Sequence, residues 1–520
     1  MPKRSRRAEK NSSALLFAIE LERQGLLDHA EQQLFSILKW TPKEWRALHQ
    51  LGSVYLSRGE CAQALKFMGQ AMKINPGSAE VKSNYGFILQ KTERHEEALI
   101  YFGRALATDP AYAAAFLNRG ASLHHLNRPV DALTNFDRVL AIDPRNTKAL
   151  YNRANILHEL RRFEECLAAF AQTIECAPDY ADAHWNEGLT RLLIGDFEIG
   201  WKKYEWRWKT ASQRHLWRDF KQPLWLGMES LAGKTILVHA EQGLGDTIQF
   251  VRYVPRLAAL GAKVVLEAPR SLHPLLRRID GCSSVIVRGE PLPDFDLHCP
   301  IMSLPLAFET ARATIPADVP YLEPGIDRVE KWRTRMPPTE GRCRVALAWA
   351  GSATNKHDQL RSIAIAKLEP LLKANEGVQW LSVQRELRAG DREWLAEHYD
   401  VHHLGEELED FDDTAAVLSL ADLVITVDTA IAHLAGALAR PVWILLQYSP
   451  DFRWLLERDD SPWYPSARIF RQPQFGEWEP VIANVGAELQ QRALGLTGLP
   501  DFSCTAGCRA ARRICRQGAR

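Results

Sequence analysis

The sequence predicts a multidomain chain: an all-α superhelix of stacked helix pairs, then an α/β region of two Rossmann-like, doubly wound lobes. Three observations predict it. Prolines recur every 34 residues through the first two-fifths, short apolar runs alternate with helical stretches in the remainder, and two of those runs end in turns suited to a ligand. A length of 520 residues suggests roughly three or four domains. Hydrophobic and charged contents of 46% and 25% are those of a chain that buries large cores.

The repeat comes first. Pro42, Pro76, Pro110, Pro144 and Pro178 each follow the last by 34 residues. In step with them run the small residues Ala18, Gly52, Gly86, Gly120, Ala154 and Gly188, and a second small column of Ala30, Ala64, Ala98, Ala132, Cys166 and Gly200. A third column, Met68, Phe102, Phe136, Phe170 and Tyr204, is large and mostly aromatic. Small residues at two fixed offsets let the two helices of one unit approach closely, and the large residue fills the next layer. Proline stops the second helix because it cannot continue one. In period and residue type this pattern resembles the tetratricopeptide repeat over about residues 11–205, as five repeats and a partial sixth. The resemblance implies a superhelix whose concave groove takes a protein or peptide segment; the alternative is an array that only scaffolds or dimerises the chain. Asn84, Asn118, Asn152 and Asn186 share the spacing and resemble ligand-facing asparagines, although asparagines on a packed turn would look the same.

Residues 1–10 read as a basic solvated tail, and residues 206–232 as a Trp-rich junction. Trp201, Trp206, Trp208, Trp217 and Trp225 crowd this region, a density that suits a buried seam between domains better than a ligand platform.

From Lys234 the pattern changes. KTILVHA, AKVVLEA and SSVIVRG are apolar runs of the kind expected for parallel strands buried on both faces, and FDLHCP adds a fourth candidate. These make a first lobe over residues 233–325, and a polar, proline-bearing linker follows. CRVALAWAG, VQWLSVQ, ADLVITVD and PVWILL then form a second lobe over residues 342–495, leaving 496–520 as a basic tail expected to be disordered. A substrate belongs at the carboxyl ends of the strands.

Two turns there carry chemistry. HAEQGLGDTIQF begins like a phosphate cradle, with Gln242, Gly243 and Gly245 between a strand and a helix start, but Asp246 follows the second glycine and would repel a diphosphate. A dinucleotide fingerprint also fails, because Ile248 stands where the third glycine belongs. VDTAIAHLAGALARP suits a diphosphate better: Asp428 or Thr429 caps a helix whose first N–H groups, at Thr429, Ala430 and Ile431, face the cleft, and His433 lies one turn on. The plainer alternative is a helix cap with a surface histidine. In GSATNKHDQLRS, Lys356 and Arg361 offer cations for phosphate oxygens, Arg361 through its fork, without an acidic cluster of the metal-binding kind.

GLGD opening the first lobe and DTxxxHLAxALxxP late in the second (Asp428 to Pro441) together resemble heptosyltransferase-like enzymes of glycosyltransferase family 9, over about residues 233–490. The resemblance implies the two-lobed GT-B fold and metal-independent transfer of a hexosyl or heptosyl group from a nucleotide-diphosphate sugar. It makes Asp246 the catalytic base, with Gln242, Gly243 and Gly245 on the acceptor side. Asp428, Thr429 and His433 become donor-binding, with Lys356 as a phosphate contact; Ala430 and Arg361 join the donor side from the turn and the cation fork alone. In layout alone, repeats followed by a two-lobed transferase also resemble the protein O-GlcNAc transferases.

The leading expectation is therefore a glycosyltransferase whose repeat array recruits the acceptor; the alternative is a scaffold with an inactive transferase-like domain. The nucleotide sugar enters as a co-substrate, with neither cofactor nor metal. A net charge of +1 predicts no nucleic-acid partner, and the lack of an apolar run of about 18 residues predicts no membrane span. The basic start has no apolar segment of the signal-peptide kind behind it. Nine scattered cysteines predict reduced thiols and a cytoplasmic location. Cys504, Cys508 and Cys515 lack a nearby His and predict no zinc site.

Overall fold

The computed structural model describes residues 2–355, 358–375, 377–398 and 400–493. Contacts divide the chain into two compact units, one ending at Ala183 and the other beginning at His184.

The chain opens with consecutive α-helices, from Pro2–Arg23 to Phe197–Tyr204, so the segment read as a basic tail lies within the first of them. Within the first unit the helices pair as the period predicts: Trp45–Ser57 with Cys61–Ile74, Ala79–Lys91 with His95–Thr108, Ala113–His125 with Pro129–Ile142, and Thr147–Glu159 with Phe163–Cys176. Side-chain caps fix two starts: Ser78 Oγ accepts from the Val81 N–H at 3.2 Å and Asn146 Oδ1 from Ala149 at 3.1 Å. The glycine column is a packing requirement. A methyl group on Gly86 would stand 2.8 Å from the Phe102 ring, and one on Gly120 2.7 Å from Phe136. The turn inside each pair holds one residue in the left-handed region, also at 34-residue spacing: Gly25, Gly59, Glu93, Asn127, Arg161 and Gly195.

The second unit contains the junction and two parallel sheets. Strands β1 (Thr235–His239), β2 (Lys263–Ala268), β3 (Cys282–Val287) and β4 (Leu297–Pro300) lie in the order β3-β2-β1-β4. Strands β5 (Cys343–Ala348), β6 (Val378–Ser382), β7 (Val401–His403), β8 (Leu423–Val427), β9 (Val442–Leu446) and β10 (Ala467–Arg471) lie in the order β10-β9-β8-β5-β6-β7. Every pairing is parallel. Counted within each lobe, strand order reverses beside the first strand, between β1 and β4 and between β5 and β8. Such switch points are where open α/β sheets bind ligands.

The junction is a buried seam in part. Trp201 and Trp225 are buried, Trp201 Nε1 donates to the Thr310 carbonyl at 3.1 Å, and its ring meets Phe250 and Phe452 edge to face. Trp217, by contrast, is 39% exposed. Among the described residues no helix is long and apolar enough to cross a membrane, and Cys61, Cys176, Cys282 and Cys299 are free thiols. The cysteines of the C-terminal tail lie outside the described residues.

The repeat packing is directly testable. Gly120→Val drives a branched side chain into the Phe136 ring and should cost about 1–3 kcal/mol by denaturant melts followed through helical circular dichroism. In the double variant with Phe136→Ala the loss should be smaller than the sum of the singles. Additive losses would refute the glycine–aromatic register.

Candidate functional site

The first-lobe turn is anchored from behind before it presents anything to a ligand. Glu241, two residues past β1, is buried and accepts from Arg207 Nη2 at 2.8 Å and Nε at 3.1 Å, and from the Met302 N–H at 3.2 Å. Arg207 is itself wholly buried, and its Nη1 donates to Glu205 at 2.6 Å. Removing either member would strand a buried charge, which costs about 3–5 kcal/mol. Gln242 sits at φ +53° and donates from Nε2 to the Tyr204 hydroxyl at 3.0 Å. Gly243 then caps the Leu244–Phe250 helix.

Asp246 is the third residue of that helix. Its Oδ2 accepts the Gly243 N–H at 2.7 Å, half of a capping box, while Oδ1 pairs with Arg453. One oxygen of this carboxylate thus closes the helix start and the other meets a cation. A helix start by itself would favour the charged carboxylate, but it does not set the charge here. Burial pushes the Asp246 carboxyl above the usual carboxylate range, and the Arg453 charge and the Gly243 N–H oppose that push without cancelling it.

Arg453 is the residue the sequence reading missed. Its buried guanidinium donates from Nε to Gln249 Oε1 at 2.5 Å, from Nη1 to Asp451 Oδ1 at 2.7 Å, and from Nη2 to Asp246. A signal existed: SPDFRW follows PVWILL, so Arg453 occupies a loop at the carboxyl end of a predicted strand.

On the second lobe, Thr429 is the cap of the Ala430–Ala437 helix, and its Oγ1 accepts from the Ile431 N–H at 3.3 Å. Two expectations change accordingly. The Ile431 N–H is taken up by the cap, and the Asp428 carboxylate is not spent on capping. Burial, and then the charge of Asp451, push the Asp428 carboxyl up to about 6. Arg361 donates from Nη1 to the Asp428 carbonyl at 2.9 Å and from Nε to Asp358 Oδ1 at 3.3 Å. Asp358 is buried and also holds Ser362 Oγ at 2.8 Å and the Arg388 guanidinium, so the loop after β5 is braced by a network the sequence reading did not name. Lys356 lies outside the described residues. His433 is no surface residue: it is 5% exposed, its Nδ1 lies 3.1 Å from the Tyr464 hydroxyl, and its ring stacks on Trp454. Burial, then Arg453, Arg252 and Arg361, hold its pKa well below the ordinary value, so the ring is neutral.

The two turns meet. A methyl group on Gly245 would stand 2.9 Å from His433 Cδ2 and 3.4 Å from Ala430 Cα, so only glycine lets the two helix starts approach this closely. Gly245, Asp246, Ala430 and His433 thus share one place with Arg453, and Arg361 reaches it through the main chain of Asp428.

Comparison with known proteins finds two kinds of family along the chain. The family model for glycosyltransferase family 9 (heptosyltransferase) matches residues 396–478, and two tetratricopeptide repeat models match residues 88–147 and 123–192. The chain joins tetratricopeptide repeats to a glycosyltransferase family 9 domain. The family match takes in Asp428, Thr429, Ala430, His433, Asp451 and Arg453, while Asp246 and Arg361 lie outside it. Protein FlbA of Caulobacter vibrioides is 28% identical over 344 residues, which are 61% of this chain and 56% of that relative, so the match spans about half of its length. Among solved structures, Pseudomonas aeruginosa PilF is 18% identical with a TM-score of 0.37, covering 40% of this chain and 97% of its own. PilW, a type IV pilus biogenesis factor, is 23% identical with a TM-score of 0.36, covering 40% and 95%.

The Asp428 shift in the glycosyltransferase family 9 domain sets a pH test. Its folded pKa is raised above the unfolded value of ~3.9, so its contribution to stability is full below that pH and is lost as pH rises through about 6. Asp428→Asn removes this titration. The variant should therefore gain on the parent by on the order of 1–3 kcal/mol between pH 4 and pH 8 in paired denaturant melts. A difference that stays flat with pH would contradict the assignment.

Proposed function

We propose that the chain transfers a hexosyl or heptosyl group from a nucleotide-diphosphate sugar to an acceptor hydroxyl, without a metal, in the cleft where the two turns meet. The observation that carries this reading is the approach of Gly245 to Ala430 and His433, which sets a carboxylate beside a helix N-terminus and two arginines. The family 9 match supports sugar transfer as the chemistry.

In this reading the diphosphate lies at the start of the Ala430–Ala437 helix, with its charge met by the helix dipole, Arg361 and Arg453. Neutral His433 gives a hydrogen bond rather than a charge. Asp246 takes the proton from the acceptor hydroxyl as that oxygen attacks the anomeric carbon, and the bond from that carbon to the phosphate oxygen breaks. Arg453 couples the two events. Paired with Asp246 it masks the base; drawn toward a phosphate, it releases the carboxylate at the moment a donor is present. Burial raises the proton affinity of Asp246, which suits a base better than an exposed aspartate would. The repeat unit is the recruiting element, and its groove takes a peptide segment of the acceptor.

Calorimetry with a panel of nucleotide-diphosphate sugars tests the donor site. One donor should bind as well in EDTA as in magnesium, and His433→Ala should weaken it by on the order of 1–3 kcal/mol. A strict magnesium requirement would replace the arginine-based reading with a metal-bridged diphosphate.

A further inference from the structure

We infer that the repeat unit carries a site for a divalent transition-metal ion of the zinc class, built by Glu93, His95 and His125. Among the described residues these three side chains bring their donor atoms within 4.8 Å of one another. Glu93 Oε2 lies 3.0 Å from His95 Nε2 and 3.1 Å from His125 Nε2, and the two imidazoles stack with centroids 3.9 Å apart and planes 22° from parallel. Donors bound at about 2.0–2.1 Å around a tetrahedral zinc ion stand roughly 3.3 Å apart, so the two carboxylate–imidazole separations are close to the spacing an ion imposes, and the rings would swing out of their stack for both Nε2 lone pairs to converge on it. Imidazole and carboxylate are also the ligand types such an ion takes.

The repeat makes two of these residues stand out in their columns. Glu93 holds the left-handed turn position at φ +59°, where three other repeats place glycine (Gly25, Gly59 and Gly195). His95 stands 34 residues from Cys61 and Pro129, in a column otherwise filled by Leu27, Phe163 and Phe197, so an imidazole occupies a mostly apolar slot. It is 7% exposed, and its Nδ1 has no hydrogen-bond partner among the described residues. The Nε2 edge is therefore the side through which this ring recovers the hydration it lost on burial. Without an ion, two stacked rings share one carboxylate oxygen; with an ion, each nitrogen and the oxygen has its own bond. Because Glu93 and His95 belong to one helix pair and His125 ends the first helix of the next, the ion would clip successive repeats together. The Glu93 and His125 side chains are 73% and 59% exposed, which leaves an open coordination position toward solvent.

Zinc titration by calorimetry into the full chain tests this, with Cys504→Ser, Cys508→Ser and Cys515→Ser removing the tail thiols as rival ligands. One equivalent should bind. His125→Ala and Glu93→Gly should each weaken it by at least roughly tenfold, since even residues that merely orient a ligand are worth that much. Glu93→Gly also separates ligand loss from unfolding: glycine suits the left-handed turn, so the metal-free melting temperature should hold. Equal zinc affinity in all three chains, or no binding to the parent, would reduce the group to an ion pair.

Discussion

A guanidinium buried as deeply as that of Arg453 has to be met by acceptors on several sides, and here they come from both lobes: Asp246 and Gln249 from the first, Asp451 from the second. None of the three could be removed without leaving part of a charge unpaired in a poorly hydrated place. The rest of the cleft follows from this constraint. With Arg453 fixed, the loop after β9 is held against the helix that starts at Leu244, and Gly245 is brought against Ala430 and His433. Asp451, recruited to balance Arg453, adds to burial in raising the neighbouring Asp428. One cation therefore opposes the effect of burial on two carboxylates in the cleft, and a phosphate that competed for it would bear on both.

A second buried arginine does comparable work behind the site. Arg207 joins Glu205 and Glu241, so the residue that begins the glycine turn is tied to the aromatic junction rather than left to a mobile loop. The turn can then be short and rich in glycine at its tip without losing its position. In the repeat unit, shape takes the place of charge. Glycine against an aromatic ring, repeated at one interval, sets how closely two helices approach, and the chemistry-bearing departures from that rule are confined to a few columns.

Much of this was legible in the sequence because periodic burial leaves periodic residues. The helix pairs follow from the proline and glycine columns, and eight of the ten strands from apolar runs, although β3, at the edge of the first sheet, is only partly buried. The two strands not foreseen, β7 and β10, are the edges of the second sheet. The first is three residues long and the second alternates arginine with apolar residues, so neither makes a continuous run. Of the site, Asp246, Asp428, Thr429, Ala430 and His433 were found because turns at strand ends have recognisable chemistry. Arg453, Arg207 and Asp358 were not, because a buried ion pair joins residues far apart in sequence and leaves no local pattern. The direction of the Asp246 shift is not legible in the sequence for the same reason. A helix start can be read locally, whereas burial depends on what the other lobe places over it.

The central claim is that Asp246 is the base and that Arg453 masks it until a donor arrives. The most direct test is release of nucleoside diphosphate from a bound donor, followed in the full chain and in Asp246→Asn with an acceptor present. Asparagine keeps the hydrogen bond from Gly243 and leaves Arg453 paired with Asp451, but it cannot take a proton. The account predicts donor affinity that is held or raised, because Arg453 gives up less to reach the phosphate, and turnover lowered on the order of 10²–10⁴-fold, the usual contribution of a general base. Turnover at the parental rate would leave Asp246 a capping residue and remove the mechanism.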